Sequence, residues 1–102
     1  MLSFTEICEK IRRNEYLISK HGDDERLNDN ISISELEEAI LNGRILETYS
    51  DTGRGESCLI AGFSQSGKPI HTVVGERNNR VVIVTVYIPT PPKFKNVFER
   101  GT

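Results

Sequence analysis

The hydrophobic pattern changes period once, near Gly43. Before that point apolar residues recur at helical spacing; after it they alternate or run together as strands do. Phe4, Ile7, Cys8 and Ile11 follow the i, i+3, i+4, i+7 rule behind a Ser3/Glu6 capping-box pattern. They predict a first helix ending near Arg13 or Asn14. Tyr16-Leu17-Ile18 reads as a short extended segment. Ser19 is placed to cap a short helix or turn through Arg26. Asp23-Asp24-Glu25 lies near its start, where negative charge suits the helix dipole. Asn28-Asp29-Asn30 breaks it. Ile33, Leu36, Ile40 and Leu41 form the stripe of the next helix. Its cap is Ser32 with Glu35 or Ser34 with Glu37, and Gly43 is the expected left-handed end.

Four strands are predicted next, over residues 44–49, 57–63, 69–74 and 81–88, with turns at 51–55, 64–68 and 75–80. The last is almost wholly β-branched and suits a central strand covered on both faces. Pro89, Pro91 and Pro92 stop regular pairing. Residues 93–102 read as a short helix around Phe94, Val97 and Phe98, or as a loose tail. The expected fold is α+β, with N-terminal helices packed on one face of a four-stranded antiparallel β-sheet. It forms a single domain over 1–102: 1–43 mainly helical, 44–88 the antiparallel sheet, 89–102 a C-terminal tail.

A chain of 102 residues supports one modest core. No run approaches the ~18 apolar residues of a membrane span. The first residues lack the basic start and apolar stretch of a secretory signal, so a cytoplasmic location and no membrane contact are expected. Cys8 and Cys58 are then expected as free buried thiols, and two cysteines are too few for a cysteine-built zinc site. No P-loop or dinucleotide fingerprint appears, and no cofactor is expected. Charge is uneven. Residues 1–63 carry 7 Lys+Arg against 13 Asp+Glu; residues 64–102 carry 6 against 2. The acidic whole, at -2, argues against nonspecific nucleic-acid binding but leaves room for a local basic face.

The only two histidines are His21 and His71. His21 is followed by Arg26, an Ile-Ser helix start and Gly43. His71 lies in Pro69-Ile70-His71, and Thr85-Val86-Tyr87-Ile88-Pro89 closes the last strand. This order, over about residues 16–95, resembles a bacterial domain family of unknown function. That family looks related to RelE-like and barnase-like RNase toxins. The resemblance implies a compact α+β fold, metal-independent RNA cleavage and an antitoxin partner. In the family pattern Arg follows His by four residues; here five separate them.

Cleavage of RNA without a metal needs a base for the 2′-hydroxyl, an acid for the leaving oxygen and a cation for the phosphorane. Histidine suits the first two because its charge changes near neutral pH. Arginine suits the third because its fork donates bidentately. The candidates are His21 and His71 as the acid–base pair, Arg26 or Arg80 as the clamp, and Tyr87 as proton donor or orienter, with Arg80, Lys93 and Lys95 as RNA contacts. Each has a plainer reading: His71 as a hydrogen-bonded half-buried residue, His21 as a surface charge partner, Arg26 as a salt-bridge partner of Asp23 or Glu37, Tyr87 as a sheet anchor, Lys93 and Lys95 as a solvated tail. A two-histidine metal site helped by Asp23 or Asp24 has no ligand spacing behind it, and Ser-His-Asp catalysis has no nucleophile elbow. Two functional readings follow. One is a toxin-like endoribonuclease held by a cognate antitoxin. The other is an inactive protein-interaction module, or a homodimer formed through an open sheet edge or the Pro-Phe tail.

Overall fold

The computed structural model describes residues 3–50, 55–91 and 94–101. Three helices precede the main strands: α1 (Phe4–Arg12), α2 (Lys20–Asn28) and α3 (Ile33–Leu41). Capping boxes start α1 and α3. Ser3 accepts from the Glu6 amide and Ser32 from the Glu35 amide, and each glutamate answers the serine amide. Ser19 Oγ caps α2 by accepting from Gly22 N. Asn14 and Asn30, with φ of 58° and 57°, turn the chain out of α1 and α2.

The strands are β1 (Tyr16–Ile18), β2 (Arg44–Tyr49), β3 (Ser57–Phe63), β4 (Pro69–Arg77) and β5 (Arg80–Tyr87). They form one five-stranded sheet in the order β1-β5-β4-β3-β2. This corrects the expected four-stranded antiparallel sheet. The segment at Tyr16–Ile18 is a strand of the sheet, and it runs parallel to β5, Tyr16 opposite Val81 and Ile18 opposite Ile83. The fold is therefore α+β with a mixed sheet. The extended reading of Tyr16-Leu17-Ile18 holds, but its partner lies more than sixty residues away, and a parallel pairing made through so long a crossover leaves no local signal.

Two further corrections concern turns. Gly43 does not take the left-handed conformation; Asn42 caps α3 at φ -98°. Gly43 is needed for space: a Cβ there would lie 2.5 Å from the carbonyl oxygens of both Ala39 and Ala61, where α3 meets β3. The β4–β5 turn is not the broad 75–80 loop but the pair Asn78-Asn79, with φ of 53° and 63°, which suits the type I′ hairpin class. Finally, the C-terminal segment is neither helix nor loose tail. It forms a small antiparallel hairpin, β6 (Phe94–Asn96) and β7 (Glu99–Arg100).

The sheet has two unlike faces. On one, Ile7 and Ile11 of α1 and Leu36, Ala39 and Ile40 of α3 pack on Cys58, Ile60, Ile70, Val74, Val81, Ile83 and Val86. Both cysteines are free and buried. Burial pushes the Cys58 thiol up to about 11. The other face carries the β6–β7 hairpin. Between the faces, α2 runs along the edge of β5 beyond β1. Ser19 Oγ donates to the Val84 carbonyl, Val86 N donates to Glu25 and Ile88 N to Asp29. Gly22 makes this approach feasible, since a Cβ would meet the Ile83 carbonyl oxygen at 3.1 Å. Two carboxylates one helical turn apart thus stand in for a neighbouring strand.

Candidate functional site

Residues paired directly across a sheet share a face. The register places Arg44 opposite Ala61, Ala61 opposite His71 and His71 opposite Tyr87. One row across four strands therefore reads cation, small residue, imidazole, phenol. It lies on the face away from α1 and α3, because it alternates with Ile60, Ile70 and Val86, which those helices cover.

A single extra residue produces this row. Counting back from Arg77 opposite Arg80, an unbroken ladder would set His71 against Val86. The register shifts between Val73 and Val74, with Val73 opposite Thr85 and Val74 opposite Ile83. Val84 is the inserted residue, and the shift brings Tyr87 opposite His71. Bulges re-aim side chains in this way.

His71 is 0 % exposed. Its Nδ1 lies 3.2 Å from the Tyr87 hydroxyl and its Nε2 2.6 Å from the Val97 carbonyl oxygen. A carbonyl only accepts, so Nε2 bears the proton. In the neutral ring Nδ1 is then the acceptor facing Tyr87. The two rings meet edge-on, centroids 5.3 Å apart. The next hairpin residue, Phe98, meets Phe63 edge-on at 5.9 Å. The Arg44 guanidinium sits 4.1 Å over the Phe98 ring, a cation–π contact. Val97 and Phe98 thus cover the row.

The other candidates lie elsewhere. His21 is exposed on α2, 3.3 Å from Glu25. Arg26 Nε donates to Asp23 at 2.7 Å and its Nη1 to the Ile31 carbonyl at 3.1 Å, bracing the end of α2. Lys20 pairs with Asp24 at 2.8 Å. The acidic cluster around His21 is thus occupied with helix bracing and the β5 edge. Arg80 stands at the start of β5, seven residues from Tyr87 and so about 23 Å along the strand. Lys93 and the side chain of Lys95 lie outside the described residues. Arg44 was not among the sequence candidates; its place in the row follows only from the β2–β3 and β3–β4 registers, which no local signal announces. Among the described residues, no three His, Cys, Asp or Glu side chains are grouped to hold a metal ion, and no helix is long and apolar enough to cross a membrane.

Residues 18–88 match the family described as domain of unknown function, DUF4258. The chain belongs to this family. The match to DUF4258 takes in α2, α3 and β2 to β5, and with them Arg44, His71 and Tyr87; it leaves out α1 and the β6–β7 hairpin. The DUF4258 segment therefore supplies the whole row, while the segment that covers it lies beyond the match. No curated protein and no solved structure matches the chain.

Proposed function

We propose that this DUF4258 protein is a toxin-like, metal-independent endoribonuclease working in the cytoplasm, with His71 and Tyr87 as its reacting pair. The observation behind this reading is the His71–Tyr87 hydrogen bond at 3.2 Å, which joins the Pro-Ile-His and Thr-Val-Tyr segments in one place. In the proposed reaction His71 Nδ1 takes the proton of the 2′-hydroxyl, O2′ attacks phosphorus and the P–O5′ bond breaks. Tyr87 gives its proton to the leaving O5′ and regains one from His71, and a 2′,3′-cyclic phosphate is left. Arg44, on the same row, is the cation for the phosphorane. Arg26 is less suited because Asp23 and Ile31 hold its guanidinium. Because His71 is 0 % exposed, RNA reaches Nδ1 only when the Val97–Phe98 cover moves off the row, and a cognate antitoxin would keep the row covered.

The complete burial of His71 and its bonds on both ring nitrogens favour a second reading. There the pair only ties the hairpin to the sheet, and the chain is a non-catalytic interaction module or homodimer.

The test is cleavage of mixed cellular RNA by purified protein in excess EDTA. The nuclease reading expects cutting by the wild type and a loss of about 10²-fold or more in His71→Ala and Tyr87→Phe, the usual scale of general acid–base catalysis. Intact RNA with the wild type would remove it and leave the interaction module, and equal cutting by both variants would remove His71 and Tyr87 as the reacting pair.

A further inference from the structure

The β6–β7 hairpin sits on the row as a ligand would. Its strands are three and two residues long. A strand pair of that size is marginal in water by itself. One side chain shapes its tip: Asn96 Oδ1 accepts from Phe98 N at 2.9 Å, and Asn96 Nδ2 donates to Glu99 Oε1 at 3.1 Å. The turn aims two consecutive residues at the sheet. The Val97 carbonyl accepts from His71 Nε2, and the Phe98 ring lies against the Arg44 guanidinium and edge-on to Phe63. Val97 is buried while Asn96 and Glu99 stay exposed, so the tip alone enters the sheet surface.

The groups that receive the tip belong to another part of the chain. Arg44, Phe63 and His71 come from β2, β3 and β4, inside the DUF4258 match, whereas the hairpin follows it. Residues 88–93 join the two and hold three of the chain's four prolines, which cannot carry a strand ladder onward. The family segment thus supplies a row with an imidazole donor and an exposed Phe63, and an appended segment fills it.

We propose that the row, with Phe63, is a peptide-docking groove, and that the hairpin tip is its resident occupant, in competition with a partner protein that presents the same turn. The tip's own contacts give the partner's chemistry. A main-chain carbonyl meets His71 Nε2, and an aromatic side chain on the next residue meets Arg44 and Phe63. An Asn or Asp just before the carbonyl-bearing residue holds the turn, as Asn96 does. A carbonyl and a ring one residue apart are the mark of a peptide. The proposal rests on the reading of the row as the functional site and names what covers it. Binding is read without RNA, so its failure leaves the cleavage test standing, and uncut RNA leaves the groove standing.

The probe is a fluorescein-labelled, end-capped peptide of residues 94–101, added to the full chain and followed by anisotropy. The tethered tip competes at an effective concentration on the order of millimolar, so the wild type should bind weakly. Phe98→Ala in the chain removes the ring of the tip and should tighten peptide binding about tenfold or more. Adding Arg44→Ala to that variant should weaken it again by about threefold, the scale of one cation–π contact. An unlabelled F98A peptide should not displace the probe. Circular dichroism reads the folding of each variant. If Phe98→Ala does not fold, the wild type is titrated with peptide to about 1 mM, and the amide signals of Ala61 and His71 should shift. No tighter binding by a folded Phe98→Ala, displacement by the F98A peptide, or unmoved Ala61 and His71 signals would each overturn the proposal. A wild type that is dimeric by light scattering and takes no peptide would also overturn it, and would assign the groove to the hairpin of a second copy.

Discussion

The two faces of the sheet are built to different rules. The helix face is a continuous aliphatic layer in which Ile7, Leu36, Ile40, Ile60, Ile70 and Ile83 are all at or below 1 % exposure. The hairpin face places Arg44, His71 and Tyr87 in one line under two hairpin residues: Val97 on the imidazole and Phe98 between Arg44 and Phe63. Non-directional burial stabilises the first face, and its residues can be exchanged for others of similar volume. The second face depends on particular donors and acceptors at particular atoms, so it is where changes of chemistry rather than of volume matter. One sheet thus separates the task of folding from the task of presenting polar groups.

The largest test of that separation is Leu36→Ala. Leu36 is fully buried on α3, and its truncation should lower the unfolding free energy by about 2–5 kcal/mol in urea titration. On the other face, Tyr87→Phe removes one hydroxyl and keeps the ring. It should cost about 0.5–1.5 kcal/mol in the same titration, with the m-value unchanged. A loss as large as that of Leu36→Ala would show that the polar face also carries the fold, and the contrast would fail.

The smallest effect concerns neither face but the rim of the helix layer. The Ser32 amide, and then Lys68, hold the Glu35 carboxyl below its ordinary value of 4.5. A depressed folded-state pKa stabilises above the unfolded value and is lost as pH falls through the folded one. Glu35→Gln should therefore melt slightly below the wild type at pH 7, with the gap closing as pH is lowered from 4.5. A gap that persists in acid would assign the effect to side-chain shape instead.

Much of the helix layer was legible because its signals are local. Ser3 with Glu6 and Ser32 with Glu35 mark helix starts within four residues, and the stripes of Ile7, Cys8 and Ile11 and of Leu36 and Ile40 point to the core. What escaped was either non-local or too short to show a period. The β1–β5 pairing joins segments with no pattern in common, and the β6–β7 hairpin is too short for periodicity to register. At the site, His71 and Tyr87 stood out as residues, but their contact hung on a two-residue turn and on the extra Val84. No hydrophobic pattern announces such an insertion in a run of β-branched residues. Arg44 escaped for the same reason, since its place in the row is defined only by two successive registers. Arg26 looked available in sequence because its bond to the Ile31 carbonyl depends on how α2 ends.

The carboxylates of Glu25 and Asp29 have a consequence for growth by strand addition. They occupy the backbone donors of β5 past the three residues of β1, so that side of the sheet offers an incoming strand almost nothing to bond. Among the described strands of this sheet, β2 alone presents a long unpaired edge. A sheet open at both sides can add copies without limit, as fibres do. This one is open at a single side, so edge-to-edge assembly through it stops at a pair.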